Sequence, residues 1–214
     1  QAMEENRLTG NALYSSEIFV SILFCYNIPM RKLIMWNVIT LDGCFEGAKP
    51  WDLSFHELVW GPELDALSHE QLNEADMLVF GKNTYLGMAE YWPNAQGAEE
   101  KVAQKMNSIR KIVCSTSLEN VEWNNTEIVK DAVTHIAQLK REGNNPMYLF
   151  GSANLAESLM NAHLIDEIRL CIAPVILGNG RQLFAKNNVT HNLKLLENRQ
   201  LQSGGVLVRY EVIN

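Results

Sequence analysis

The chain has 214 residues, of which 47% are hydrophobic and 20% charged, with a formal net charge of −7. That length supports one sizeable α/β domain with its own core. The acidic balance argues against broad attraction to nucleic acid or to an anionic membrane, although backbone N–H groups and one or two cations can still hold a phosphate locally. Cys25, Cys44, Cys114 and Cys171 are scattered, with no CxxC and no Cys/His metal spacing, so no metal site is expected and a reducing, cytoplasmic setting fits. No apolar run reaches membrane-spanning length.

Residues 1–29 differ from the rest. Gln1 to Ser16 is polar without a clear period, Ile18 to Tyr26 is apolar but short, and Pro29 ends it. Arg7 is the only positive charge before that run, which is a poor match to a secretory leader. The segment reads as an extension outside the domain, and 30–214 as the domain itself.

From Lys32 the chain alternates strands and helices. Lys32–Thr40 is a buried, β-branched strand. Glu63–Leu72 is a helix, with Ser68 and Gln71 placed for a capping box in its last turn. Met77–Phe80 is a second buried strand, ended by Gly81. Thr84–Tyr91 and Glu99–Met106 are short helices, and Lys111–Ser115 and Glu127–Val129 are strands. Asp131 caps a helix that Gly143 closes, Met147–Phe150 is a buried strand, and Ser152 is the expected N-cap of a helix over Ala153–His163. Glu167–Ile176 is a long strand whose Pro174 calls for an edge or a bulge. His191–Arg199 and Val206–Val212 form a terminal pair near Gly204-Gly205. This order predicts a mostly parallel sheet with antiparallel strands added at one edge.

Three of the predicted strand ends carry small or hydroxyl residues: Gly81-Lys82-Asn83-Thr84, Ser115-Thr116-Ser117 and Gly151-Ser152-Ala153-Asn154. Two of them also open helices, whose free N–H groups and positive dipole ends suit a diphosphate. Ligands of open α/β sheets sit beyond such strand ends. Lys82 is placed to pair with a phosphate and Ser115 or Thr116 to hydrogen-bond another, although a lone lysine is more often a solvated surface residue.

These segments, with Thr40-Leu41-Asp42-Gly43, Pro174 to Phe184 and Gly205 to Tyr210, resemble the dihydrofolate-reductase-like superfamily. Within it they resemble the group related to the reductase half of the bifunctional riboflavin-biosynthesis deaminase–reductase. The resemblance covers Met30 to the C-terminus. It implies an α/β fold with a mixed, mostly parallel central sheet flanked by helices on both faces. It also implies NADPH as cofactor, with 81–84 and 151–154 on its phosphates and nicotinamide side and 115–117 near the adenosine ribose and its 2′-phosphate. The loop from Asp42 to Trp51 would cover the substrate, and members often pair as homodimers through late strands.

Two features depart from the family pattern. Ser152 and Lys82 stand where glycine and arginine are common, and lysine offers a point charge rather than a fork. Pro50-Trp51-Asp52-Leu53 resembles a motif of true dihydrofolate reductases, but His56, with Glu57 next to it, stands where those enzymes place an acid. Dihydrofolate is therefore an unexpected main substrate. Asp42 reads equally as a turn residue before glycine and as a carboxylate orienting substrate beside Thr40. His56 could supply a proton near neutral pH or serve structure alone. Trp51 and Phe55 could stack on a flat heterocycle.

The reading is a single-domain NADPH-dependent reductase that transfers hydride to a C=N or C=O bond of a small, heterocyclic substrate. Its expected residues are Asp42 and His56 at the chemistry and Thr40, Trp51, Phe55 and Glu57 at the substrate. The alternative is a non-catalytic nucleotide-binding or regulatory protein on the same fold.

Overall fold

The computed structural model describes residues 30–184 and 189–213. From Arg31 on, they form one compact unit. The expected extension at 1–29 lies outside them.

An eight-stranded sheet runs through the centre in the order β5-β4-β3-β6-β1-β7-β10-β9. Strand β1 is Leu33–Thr40, β3 Met77–Gly81, β4 Arg110–Cys114, β5 Thr126–Val129, β6 Met147–Phe150 and β7 Glu167–Ala173. These six pair in parallel, and β10 (Val206–Ile213) then pairs antiparallel with both β7 and β9 (Asn192–Gln200). A small ribbon joins β2 (Cys44–Glu46) to β8 (Arg181–Gln182). The fold is the expected mixed, mostly parallel α/β sheet with helices.

Every residue of β1 is buried, because neighbours cover both its faces. Leu33, Met35 and Ile39 join one apolar cluster, and Ile34, Trp36 and Val38 the other, following the two-residue period of a strand. Each such side chain contributes about 1.5–3 kcal/mol when fully buried.

Helix α1 (Pro62–Glu74) opens with proline at its first turn, where no N–H is needed. Ser68 therefore sits mid-helix. Instead of a capping box, its Oγ donates to the Leu64 carbonyl one turn back, at 2.9 Å. Helices α2 (Lys82–Tyr91) and α3 (Glu100–Ser108) follow β3. Helix α4 (Ala132–Leu139) is capped as expected, since Asp131 Oδ1 accepts from Thr134 N at 3.1 Å. It ends before Gly143, which instead takes a left-handed φ of 113° in the loop beyond. Helix α5 covers Ala153–Asn161.

Two expectations about the last third change. Strand β7 stops at Ala173, so Pro174 lies just beyond it. β7 is also an interior strand, and the sheet edge on that side is β9. Ile172, Val208 and Tyr210 accordingly pack against the core. The exposed apolar residues here include Ile176, Phe184, Val189, Leu193, Leu195, Leu196, Val206 and Ile213.

A buried ion cluster ties β7 to its neighbours. Glu167 Oε1 accepts from Arg169 Nε at 2.6 Å and Arg209 Nε at 2.9 Å. Arg169 Nη1 also donates to Tyr148 Oη at 2.6 Å and Glu74 Oε1 at 3.0 Å. Burial raises the Glu167 pKa, but the two arginines more than offset it and hold the carboxyl below its usual range.

Candidate active site

The parallel register brings the ends of β4, β3 and β6 level. Gly81 pairs with Cys114 on β4, and Val79 pairs with Leu149 on β6, the neighbour on the other side. The chain turns into α2 after β3 and into α5 after β6, with no side-chain cap on either helix. Their first N–H groups are thus available to a ligand. Ser152 does not cap α5. It takes a left-handed conformation, φ 59°, and its Oγ accepts from Gly81 N at 2.7 Å and bonds Thr84 Oγ1 at 2.7 Å. This serine clamps the two helix starts together.

Glycine is required on both sides of that clamp. A Cβ on Gly81 would lie 2.7 Å from Ser152 Oγ, and one on Gly151, which has φ 54°, would lie 3.0 Å from Thr84 Oγ1.

A cleft of about 400 Å³ lies over these strand ends. Gly81, Lys82, Asn83, Thr84, Ser115, Thr116, Ser117, Ser152 and Asn154 all line it. Ala153 is buried instead and lines neither cavity. Lys82 Nζ donates to Ser117 Oγ at 3.0 Å, which links two of the three segments. Ser115 Oγ accepts from Leu118 N at 3.0 Å and shapes its own turn. The sequence reading missed Lys130, which also lines the cleft; its Nζ donates to the Leu118 carbonyl at 2.6 Å and to that of Thr116 at 3.3 Å. Nothing in its local sequence marks it, because it arrives from the end of β5.

Next to the cleft lies an apolar slot of about 190 Å³. Asn83, Thr84 and Arg181 line both cavities. Trp36, Trp51, Trp60, Trp92, Phe45 and Phe150 supply most of its aromatic wall. Gly151 lines the slot rather than the cleft, and donates its N–H to Asn37 Oδ1 at 3.0 Å. Arg181 Nη1 lies 3.6 Å from Glu46 Oε2 across the β2–β8 ribbon, and its guanidinium sits 5.4 Å from the Phe45 ring centre. Gly180 permits that approach, since a Cβ there would lie 2.7 Å from the Glu46 carbonyl.

Of the residues expected at substrate and chemistry, Trp51 and His56 line the slot. Burial pushes His56 down to about 4, so it is neutral at pH 7 rather than titrating near neutrality. Thr40, Asp42, Phe55 and Glu57 do not line the slot. Thr40 is buried and its Oγ1 donates to Asp42 Oδ1 at 2.6 Å. Asp42 also accepts from Leu177 N at 3.2 Å and Gly178 N at 2.8 Å. These bonds, from Thr40 first and then Gly178, hold its carboxyl below its ordinary range. The geometry matches the turn reading: Asp42 pins the loop after β7 to the end of β1. Phe55 is buried in the core and Glu57 is exposed.

Among the described residues no His/Cys/Asp/Glu cluster could hold a metal ion, and no helix is long and apolar enough to cross a membrane.

Comparison with known proteins places this geometry. A putative riboflavin biosynthesis protein from Shewanella sp. PV-4 has the same fold, with a TM-score of 0.70 at 20% identity, over 86% of this chain and 99% of that one. The diaminohydroxyphosphoribosylaminopyrimidine deaminase/5-amino-6-(5-phosphoribosylamino)uracil reductase of Thermotoga maritima matches with a TM-score of 0.61 at 14% identity. That match covers 92% of this chain and 60% of the Thermotoga protein. The uncharacterized protein YyaP of Bacillus subtilis is 27% identical over 186 residues, 86% of this chain and 96% of YyaP. Residues 31–207 match the family described as the RibD C-terminal domain. The chain therefore belongs to the RibD C-terminal domain family, on a dihydrofolate-reductase-like fold.

Proposed function

We propose that the protein is an NADPH-dependent reductase that delivers hydride to a C=N or C=O bond of a small heterocyclic substrate. The observation that carries this reading is the shared wall of the two cavities. A phosphate-ready cleft and an aromatic slot meet at Asn83, Thr84 and Arg181. A dinucleotide laid along the cleft would enter the slot at Gly151, beside a flat ring held among the tryptophans.

The residues fit such a cofactor. Two uncapped helix starts would take the diphosphate, and Gly81 and Gly151 let the Ser152 and Thr84 hydroxyls hold those starts together. Lys82, Lys130 and the 115–117 hydroxyls, which line the cleft together, would face the 2′-phosphate. The cofactor, when bound, supplies the hydride. This chain orients both reactants and keeps water from the slot through its aromatic lining. His56, neutral and partly buried, would serve there as a hydrogen-bonding group rather than as a proton carried into the reaction.

Fluorescence titration with NADPH and NADH, followed by an oxidation screen over pterins, pyrimidines and simple carbonyls, tests the proposal. Tight NADPH binding with oxidation by one of these classes supports it. Binding without oxidation by any of them favours the non-catalytic alternative.

A further inference from the structure

The slot holds a polar feature that the aromatic reading does not use. Gln71 belongs to α1, is 2% exposed and lines the slot. Among the described residues neither its Oε1 nor its Nε2 finds a hydrogen-bond partner. Asn37 and His56 line the same slot, and Asn37 Nδ2 and His56 Nε2 are buried and likewise unpaired among the described residues. Asn37 is oriented by its other end, through the Gly151 N–H.

Leaving both ends of a buried amide unpaired is costly, and an apolar side chain of similar size would fill the same volume without that cost. Such a cost persists where a bound partner removes it. The shape of the missing partner follows from the amide. Gln71 presents one donor and one acceptor side by side, which together match an adjacent C=O and N–H on a ring edge. A flat ring fits the space, because the walls are tryptophan and phenylalanine.

We propose that Gln71 is the specificity-determining residue of the slot, pairing through both ends of its amide with the adjacent N–H and C=O of a planar ring. The assignment rests on the slot being the substrate site of the reductase reading. Discrimination of this kind is strong, since a ring lacking the N–H leaves buried groups unpaired.

The test uses the full chain and two compounds that differ in one group: quinazolin-4-one and its 3-methyl derivative, in which a methyl replaces the ring's single N–H, the one beside its carbonyl. Calorimetric titration should show at least tenfold tighter binding of the parent compound. Gln71→Leu should abolish that preference without lowering Tm, because it removes the unpaired amide. Gln71→Met provides the same comparison should the leucine variant fail to fold. Equal binding of the two compounds to the wild type, binding of neither, or a preference that survives both substitutions would overturn the proposal. A lowered Tm with the preference intact would make Gln71 structural. NADPH titration on the same samples separates the two readings. Ring discrimination without NADPH binding leaves Gln71 in place and removes the reductase reading; NADPH binding without discrimination does the reverse.

Discussion

Ser152 Oγ accepts a hydrogen bond from the backbone N–H of Gly81 at 2.7 Å, across 71 residues of sequence. That bond fixes the start of one helix against the start of another, directly under the cleft. Ser152→Leu replaces the acceptor with bulk at that junction. NADPH affinity should fall more than tenfold, about 1.4 kcal/mol, measured by fluorescence titration on a variant shown to be folded by circular dichroism. Unchanged affinity would remove the cofactor from this cleft.

His56 makes stability depend on acid. Burial lowers its pKa from 6.5 to about 4, so the folded state binds this proton less readily than the unfolded chain. Its contribution is fully present above the unfolded value and is lost as pH falls from there to about 4, where the folded imidazole also protonates. The loss amounts to roughly 3 kcal/mol, because each tenfold difference in proton affinity between the two states is worth about 1.4 kcal/mol. His56→Gln should flatten that part of the profile in urea unfolding at about pH 7 and about pH 4.5, either side of most of this titration. Parallel losses in the two proteins would show that other groups are responsible.

Glu167 should be a stability residue with no direct part in binding. Its carboxylate faces two guanidinium groups in a buried setting, and Glu167→Gln leaves their charge undercompensated. The expected cost is about 3–5 kcal/mol, read from chemical denaturation. Since the folded pKa is lowered, this contribution is present above the unfolded carboxylate value and disappears as pH drops through the folded one. A change below about 1 kcal/mol, the range of an exposed ion pair, would mean the arginines find other partners.

Dihydrofolate should be a poor substrate. The acid expected of a folate reductase is replaced by His56, and the carboxylate of Glu46 in the slot is engaged with Arg181 and accepts from Trp51 N at 2.7 Å. A kcat/KM at or above roughly 10⁴ M⁻¹s⁻¹, the lower end for good enzymes, would overturn this expectation.

Assembly as a homodimer is expected through β9 rather than β7. β9 is the edge on the antiparallel side of the sheet and carries exposed Leu193, Leu195 and Leu196. An open apolar edge of this kind is usually covered. Light scattering at micromolar concentration should give a dimer mass, and Leu195→Glu should shift it to the monomer. A monomer mass for the wild type at all concentrations would exclude the dimer.

The strand ends were legible in the sequence because short apolar runs, glycine and hydroxyl residues all sit within a few positions of one another. Gly81, Ser115 and Gly151 could be placed on one sheet edge without coordinates. What could not be read was contact across distance. Ser152 looks like an N-cap locally, yet its hydroxyl serves Gly81. Asp42 looks equally able to act on substrate, yet Leu177 and Gly178 claim it. Lys130, Asn37 and Gln71 carry no local signature, because only the crossover connections bring β5, β1 and α1 to the same cavities. The interior position of β7 was hidden for a related reason: a proline near a strand's end says nothing of which strand lies beside it.

Gly87 lies in the middle of α2, where glycine costs a helix about 0.5–1 kcal/mol relative to alanine. A Cβ there would fall 1.9 Å from the Trp51 ring, so the indole rests directly on the helix backbone. Trp51 itself sits at φ 63°, a conformation non-glycine residues seldom adopt. The two oddities are one device: a notch in the helix and a residue bent to fill it. A single methyl group at position 87 would evict the indole and unseat the loop that carries it. The size of the chamber is thus set by a hydrogen atom on a residue that lines neither cavity.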